Sequence, residues 1–208
     1  MSTADAVGTT GAAGGTGSLR ERKKLRTWSA LQHAALELAS EHGVQETSID
    51  DICQRAGVSS RTFFNYFPSK ISAIVGLDGR SVLSSLRDAY LSRARQSDSL
   101  VYDTCHLVAD VAEQRSLDQN DRELRRGLVL ETPELLQVGL AGLVERSGEI
   151  VSLVSERAGA DLNEAQVLTT LVIAALSCVV RNPTAATGLE SLGDATYAMV
   201  LRMQSIGQ

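Results

Sequence analysis

The stretch "TSIDDICQRAGVSSRTFFNYFPSK", residues 47–70, constrains the fold of this chain more than any other segment. Gly57 divides it, and glycine is the residue that most easily ends a helix in the left-handed conformation. On one side Thr47 or Ser48 can cap a helix that runs to about Ala56, with Asp50 or Asp51 placed to complete a capping box at the positive end of the dipole. On the other, Ser59 or Ser60 can cap a second helix. That helix must stop by Pro68, because proline lacks a donor and pushes its predecessor out of the helical region. Two helices of about two turns joined by "AGV" form a helix-turn-helix pattern. Ile52, Ala56, Val58 and Phe63 fall where such a pair must be apolar to pack, and Cys53 falls where only a small side chain lets the helices approach.

The same stretch holds all three Phe and one of the four Tyr, so half of the chain's aromatic side chains lie between positions 63 and 67. On a helix starting near Ser60, Phe63 and Phe67 are four residues apart and share the inward face. Ser60, Arg61, Thr62, Asn65 and Tyr66 are left to point elsewhere. Their chemistry suits a nucleic-acid surface: Arg61 can donate twice to guanine, Asn65 can pair with adenine, and Thr62 can meet a thymine methyl or a phosphate. Ser59, Tyr66 and Lys70 suit phosphate contacts, which position a protein without reading sequence. Thr47 or Ser48 adds a helix N-terminus, whose N–H groups face an anion.

Charge is distributed accordingly. The net charge is −5, yet "LRERKKLR" (Leu19 to Arg26) carries five cations and one anion. A short basic segment on an acidic body suits a protein that touches phosphate with one end, although a solvated helix face has the same composition.

The rest of the chain reads as helical. Only three Pro are present and alternating Val, Ile and Thr runs are absent, which favours an all-α fold. Leu25, Trp28, Leu31, Ala35 and Leu38 mark one face of a first helix ended by Gly43. A long helix is expected from Ile71 to about Arg95, then helices near 98–116, 119–131, 133–158, 163–181 and 189–205. The run Val167 to Val180 has 14 residues, too few to span a bilayer, and reads as a core helix. Small and apolar residues cover nearly the whole circumference of helix 163–181, so it is buried on more than one side, by its own chain or by a second copy.

Catalysis finds little support. "GTTGAAGGTG" lacks the Lys-Ser/Thr ending of a phosphate-binding loop, His33, His42 and His106 show no metal spacing, and no Ser sits in a nucleophile elbow. No metal and no cofactor is expected. Cys53, Cys105 and Cys178 are odd in number and far apart, which fits reduced thiols in a cytoplasmic protein. Residues 1–18 have neither a cationic start nor an apolar stretch, so they read as a disordered tail rather than a signal peptide.

The segment "TSIDDICQRAGVSSRTFFNYFPSK" resembles the N-terminal signature of the tetracycline-repressor (TetR) family of bacterial transcriptional regulators, in its "T-x3-I-x3-AGVS-x2-T-x4-F-x-SK" frame. The likeness covers Leu25 to Ile74; beyond it, only length and helicity match. It implies a three-helix DNA-binding domain over 19–69 and a helical effector-binding and dimerisation domain over 70–208. It also implies a homodimer through the helices near 163–181 and 189–205, and release of a double-stranded DNA operator when a small molecule binds. An activator, or a helix-turn-helix protein without ligand response, is the alternative.

By position, the family's DNA contacts fall on Thr47, Ser48, Ser59, Ser60, Arg61, Thr62, Asn65, Tyr66 and Lys70. Arg61 stands where many members have Gly, and Phe64 where many have Tyr. The stretch "RTFFNYFPSK" further resembles a subset of members that respond to acyl-coenzyme A thioesters or other lipid-like ligands, which implies a hydrophobic or acyl-CoA-like effector. Effector sites of this kind are apolar clefts with a few polar groups, and Tyr102, Cys105, His106, Arg125 and Arg126 in the middle helices are the candidates to line one.

Overall fold

The computed structural model describes residues 19–76, 83–94, 99–114, 118–159, 161–182 and 188–206. The expected tail at 1–18 lies outside the described residues. Among those residues every regular element is an α-helix, as the sequence implied.

The apolar stripe of α1 (Leu19–His42) buries Trp28, Leu31, Ala35 and Leu38. Leu25 departs from expectation and is 53% exposed, because the first turns of α1 run past the edge of the core they serve. Helix α2 (Ile49–Ala56) is capped by Ser48, whose Oγ accepts from Asp51 N at 3.1 Å, so of the two candidates Ser48 is the cap. Gly57 ends α2 with φ 66° and lets Val58 N donate to Cys53 O. Helix α3 (Ser60–Phe64) follows, capped by Ser59 through Thr62 N at 3.2 Å.

The long helix expected from Ile71 to Arg95 is instead interrupted. Helix α4 (Lys70–Val75) stops at Gly76, which takes φ 77°, and α5 (Leu83–Ala94) begins beyond residues that are not described. Gly76 is needed there for two reasons. Its backbone is left-handed, and a Cβ at this position would lie 2.2 Å from Gln32 Nε2 and 2.3 Å from Gln114 Oε1.

Helices α6 (Leu100–Glu113), α7 (Gln119–Glu131) and α8 (Pro133–Glu145) form the middle of the chain, and α7 and α8 are bent by 111° at Thr132. Pro133 opens α8, where its missing N–H costs nothing. The expected helix over 133–158 is two: Arg146, at φ −89° and ψ −1°, separates α8 from α9 (Ser147–Ala158). No Gly or Pro marks that break. Helices α10 (Leu162–Arg181) and α11 (Leu192–Ser205) complete the fold and pack with α6 and α9. At 20 residues α10 is long and apolar enough to cross a membrane, contrary to the expectation from the 14-residue run alone. Its contacts with α6, α9 and α11 are those of a core helix.

Two apolar cores result. One joins α1 to α4, and Ala73, Ile74 and Val75 place α4 within it, together with Leu135 of α8. The other joins α5, α6, α9, α10 and α11. The cores therefore divide near Gly76 rather than at residue 69, and α7 and α8 lean on the first through Leu124, Leu128, Leu135 and Val138.

Gly76→Ala should cost both the left-handed strain of about 1–2 kcal/mol and the displacement of two buried amides. Gly57→Ala, with nothing within 4 Å of its added Cβ, should cost the strain alone. Denaturant midpoints of the two variants check this: equal losses would show that Gly76 is not crowded.

Candidate nucleic-acid interface and effector cavity

The five-residue α3 is too short to persist by itself, since isolated helices of even about 12 residues are marginal in water. It ends earlier than the expected helix toward Pro68, and its inner face, continued by the turn that brings Phe67 back to Phe63 O, holds it. Phe63 and Phe67 are fully buried, with ring centroids 6.0 Å apart, and Phe67 lies 5.9 Å from Trp28 of α1. Truncating a buried Phe typically costs about 3–5 kcal/mol, several times the worth of a helix cap, so the rings dominate the anchoring. Phe64 stands edge-on to Phe63 at 5.5 Å and is 57% exposed.

The outer face carries the polar residues. Arg61 and Asn65 are exposed, and Arg61 makes no hydrogen bond or ion pair among the described residues. Thr62 and Ser59 share a hydroxyl contact at 2.9 Å, and Ser60 Oγ donates to Asp50 Oδ1 at 3.2 Å, tying α3 to α2. Tyr66 is half-buried against the first core. Ser48, Asp50, Ser60, Phe64 and Lys70 line one shallow depression at the N-termini of α2 and α3.

Two residues depart from their expected places. Thr47 is 2% exposed and its hydroxyl donates to Gly43 O at 2.9 Å, so its side chain is turned into the domain. Lys70 is already engaged: Nζ donates to Gln45 O and Thr47 O, each at 2.8 Å. The ammonium thus sits at the start of α4 while neutralising carbonyls of the turn before α2, and it holds that turn in place.

The opposite end of α4 meets the second domain through buried polar groups. Gln114 Nε2 donates to Val75 O at 2.9 Å and to Gly76 O at 2.8 Å, and its Oε1 accepts from Gln32 Nε2 of α1. Arg125 Nε of α7 donates to Val75 O at 2.9 Å, and its Nη1 to Ala112 O at 2.8 Å. These side chains satisfy the last carbonyls of α4, and the guanidinium complements its negative end. Burial pushes the Arg125 pKa down to about 10, which leaves it charged at neutral pH. Beside this junction His33 Nδ1 lies 2.7 Å from Asp121 Oδ1.

A cavity of about 370 Å³ opens against the same junction, between α6, α7, α8 and α10. Of the candidate effector residues, Arg125 and Arg126 line it. Tyr102, Cys105 and His106 do not. Cys105 is fully buried in the second core, which pushes its thiol up to about 12. Tyr102 and His106 stack at 4.4 Å and both face Asp194 Oδ1 at 3.3 Å, forming a seam between α6 and α11. Hydrogen bonding from Ser191, then the charge and hydrogen bond of His106, hold the Asp194 carboxyl below its usual range. Sequence reasoning missed Arg122, Arg146, Leu143 and Leu176 on the cavity wall. The signal available was Arg122, Arg125 and Arg126 at spacings of three and four, which a helix gathers on one side.

A capped, ring-anchored α3 with an exposed polar face, preceded by α2 and a tight turn, has the form of a helix-turn-helix. Residues 31–72 match the family of bacterial regulatory proteins, tetR family, so this segment is similar to the N-terminal part of that family. The chain is 28% identical over 141 residues to MftR of Mycobacterium tuberculosis, a transcriptional regulator assigned to mycofactocin biosynthesis; the match takes in 66% of this chain and 69% of that protein. It is also 28% identical over 155 residues to the transcriptional regulator TcmR of Streptomyces glaucescens, covering 70% of this chain and 66% of that protein. A solved TetR transcriptional regulator from Rhodococcus sp. RHA1 aligns with 89% of this chain and 100% of its own, with a TM-score of 0.49 and 15% identity.

The junction makes a pH prediction. Its hydrogen bond to Asp121 outweighs burial and raises the His33 pKa above 6.5. A raised folded pKa stabilises fully below the unfolded value, and this contribution is lost as pH rises through the folded one. The thermal midpoint of the native chain should therefore exceed that of His33→Ala most below pH 6.5, with the gap closing on the alkaline side. A gap that widened with pH would contradict the assignment.

Proposed function

We propose that this protein is a cytoplasmic homodimeric repressor. A small hydrophobic or acyl-CoA-like effector in the second domain releases it from a palindromic operator. The observation that carries the DNA-binding part is the division of α3 into a buried aromatic face and an exposed polar one. Each α3 would enter one major groove, with half-site centres about 34–36 Å apart or a multiple of it. Arg61 and Asn65 read bases, Thr62 meets a base or phosphate, and Ser48, Ser59, Ser60 and Tyr66 position the backbone. Thr47 contributes through its backbone, and Lys70 chiefly by holding the turn that presents Ser48. Exposed Arg22, Lys23, Lys24 and Arg26 on the overhanging start of α1 add phosphate contacts. The working division is a tail over 1–18, a DNA-binding unit over 19–69 and an effector and dimer unit over 70–208, whose first helix, α4, packs into the core of the DNA-binding unit.

Dimerisation is supported by α10. Val167, Leu171, Ala174 and Cys178 recur at four, three and four along the side of α10 that its own chain covers least; Val167 is 69% exposed, Ala174 is exposed, and Leu171 and Cys178 are half-buried. Leu201 of α11 is 46% exposed. A second copy packed there would form a four-helix bundle about a two-fold axis. Ala174→Glu should then halve the mass in light scattering while preserving helical circular dichroism. A native mass of 22.2 kDa, that of one chain, would remove the dimer reading.

Footprinting tests the whole: protection of a site with two-fold symmetry is expected, and an asymmetric site would sink the proposal. Arg61→Ala should cost about 1–3 kcal/mol and relax base preference. Lys70→Ala should weaken all sequences alike and also lower the denaturant midpoint, because its two carbonyl contacts belong to the fold. Loss of base preference in Lys70→Ala but not in Arg61→Ala would reverse the roles.

A further inference from the structure

Arg125 is a buried cation without a buried anion. It is 9% exposed, its hydrogen bonds go to the neutral carbonyls of Val75 and Ala112, and among the described residues no carboxylate is in salt-bridge range, Glu113 acting on it only from a distance. A charge taken out of water this way is costly unless an opposite charge arrives. The cavity it lines also takes Arg122, Arg126 and Arg146, against Glu113 and Glu123. Four cations and two anions therefore converge on one cavity, in the half of the chain whose net charge is negative. The remaining wall is largely apolar, with Leu140, Leu143, Leu176 and Val179.

We propose that the cavity is a site for an apolar carboxylic acid bound as its anion, with the carboxylate at Arg125 and the hydrocarbon among Leu140, Leu143 and Leu176. This rests on the ligand-responsive reading above and narrows it. At about 370 Å³ the cavity lies toward the small end of ligand pockets, which run from about 300 to 1,000 Å³. That size suits a free acid; the nucleotide of a coenzyme A thioester would have to remain outside. The site also supplies a switch. Arg125 Nη2 donates to no described group, and a bidentate carboxylate is a stronger acceptor than a neutral carbonyl. A bound acid therefore competes with Val75 O for the guanidinium and loosens the end of α4, whose start holds the turn before α2 through Lys70.

Isothermal titration of the full chain with straight-chain carboxylates from hexanoate to dodecanoate, each paired with its uncharged carboxamide, tests this. The best carboxylate should bind at least about tenfold tighter than its amide, as expected for a charge-assisted hydrogen-bond pair. Arg125→Met should abolish the difference. Because that variant also breaks the junction, Leu140→Trp, which fills the cavity from a half-buried position, should separately abolish binding. Equal affinity for acid and amide, or binding of neither, overturns the proposal. Operator binding, measured with the same compounds, separates the two readings. Equal binding with DNA release leaves ligand response standing and removes the anion site. Preferential acid binding with unchanged DNA affinity keeps the site and removes the response.

Discussion

The carbonyl oxygen of Val75 accepts from Gln114 Nε2 and from Arg125 Nε, and the rest of the molecule is arranged around that meeting. Helix α4 has six residues, too few for an independent helix, so its position is decided by the core that buries Ala73, Ile74 and Val75 and by what holds its ends. At one end side chains from α6 and α7 take its last carbonyls. At the other Lys70 reaches the turn that precedes α2. The two cores are thereby joined through a short element fixed by directional bonds at its ends as well as by apolar packing of α7 and α8. Directional bonds have alternative partners, whereas a packed apolar interface does not, and this is the physical basis for a junction that can be reset by a charged ligand.

The helix-turn-helix follows a different logic. Its geometry is set by local devices: Ser48 and Ser59 cap the two helices, Gly57 supplies the left-handed turn, and Phe63 and Phe67 drive α3 against Trp28. Each device is a residue type with one strong preference, so each could be read without knowledge of the fold. Phe64, which stood where a tyrosine was expected, is placed by the structure beside Phe63 at the rim of the depression shared by Ser48, Ser60 and Lys70. It leaves an apolar edge there rather than a hydroxyl.

Where the structure departs from what the sequence implies, long-range partners are the main cause. Gly76 was absorbed into a long apolar periodicity because nothing local distinguishes a helical glycine from a left-handed one; the distinction comes from Gln32 and Gln114, 44 and 38 residues away in the chain. Tyr102, Cys105 and His106 looked like cavity residues because polar groups in apolar helices suggest a ligand, yet their partners turn out to be Asp194 and the second core. Thr47 looked like a cap, but Ser48 took the role one residue later and left the threonine hydroxyl to Gly43 O.

The amino-acid sequence by itself determined the all-helical class, the boundaries at Gly57, Gly43 and Pro133, and the two faces of α3, because caps, turns and helical periodicity act over a few residues. Only the tertiary structure decided which cations meet in one cavity, where α4 ends, and that Arg125 lies buried with its hydrogen bonds given to carbonyls. Those outcomes depend on side chains brought together from distant helices, and the desolvation that gives them their chemistry exists only once the helices have packed.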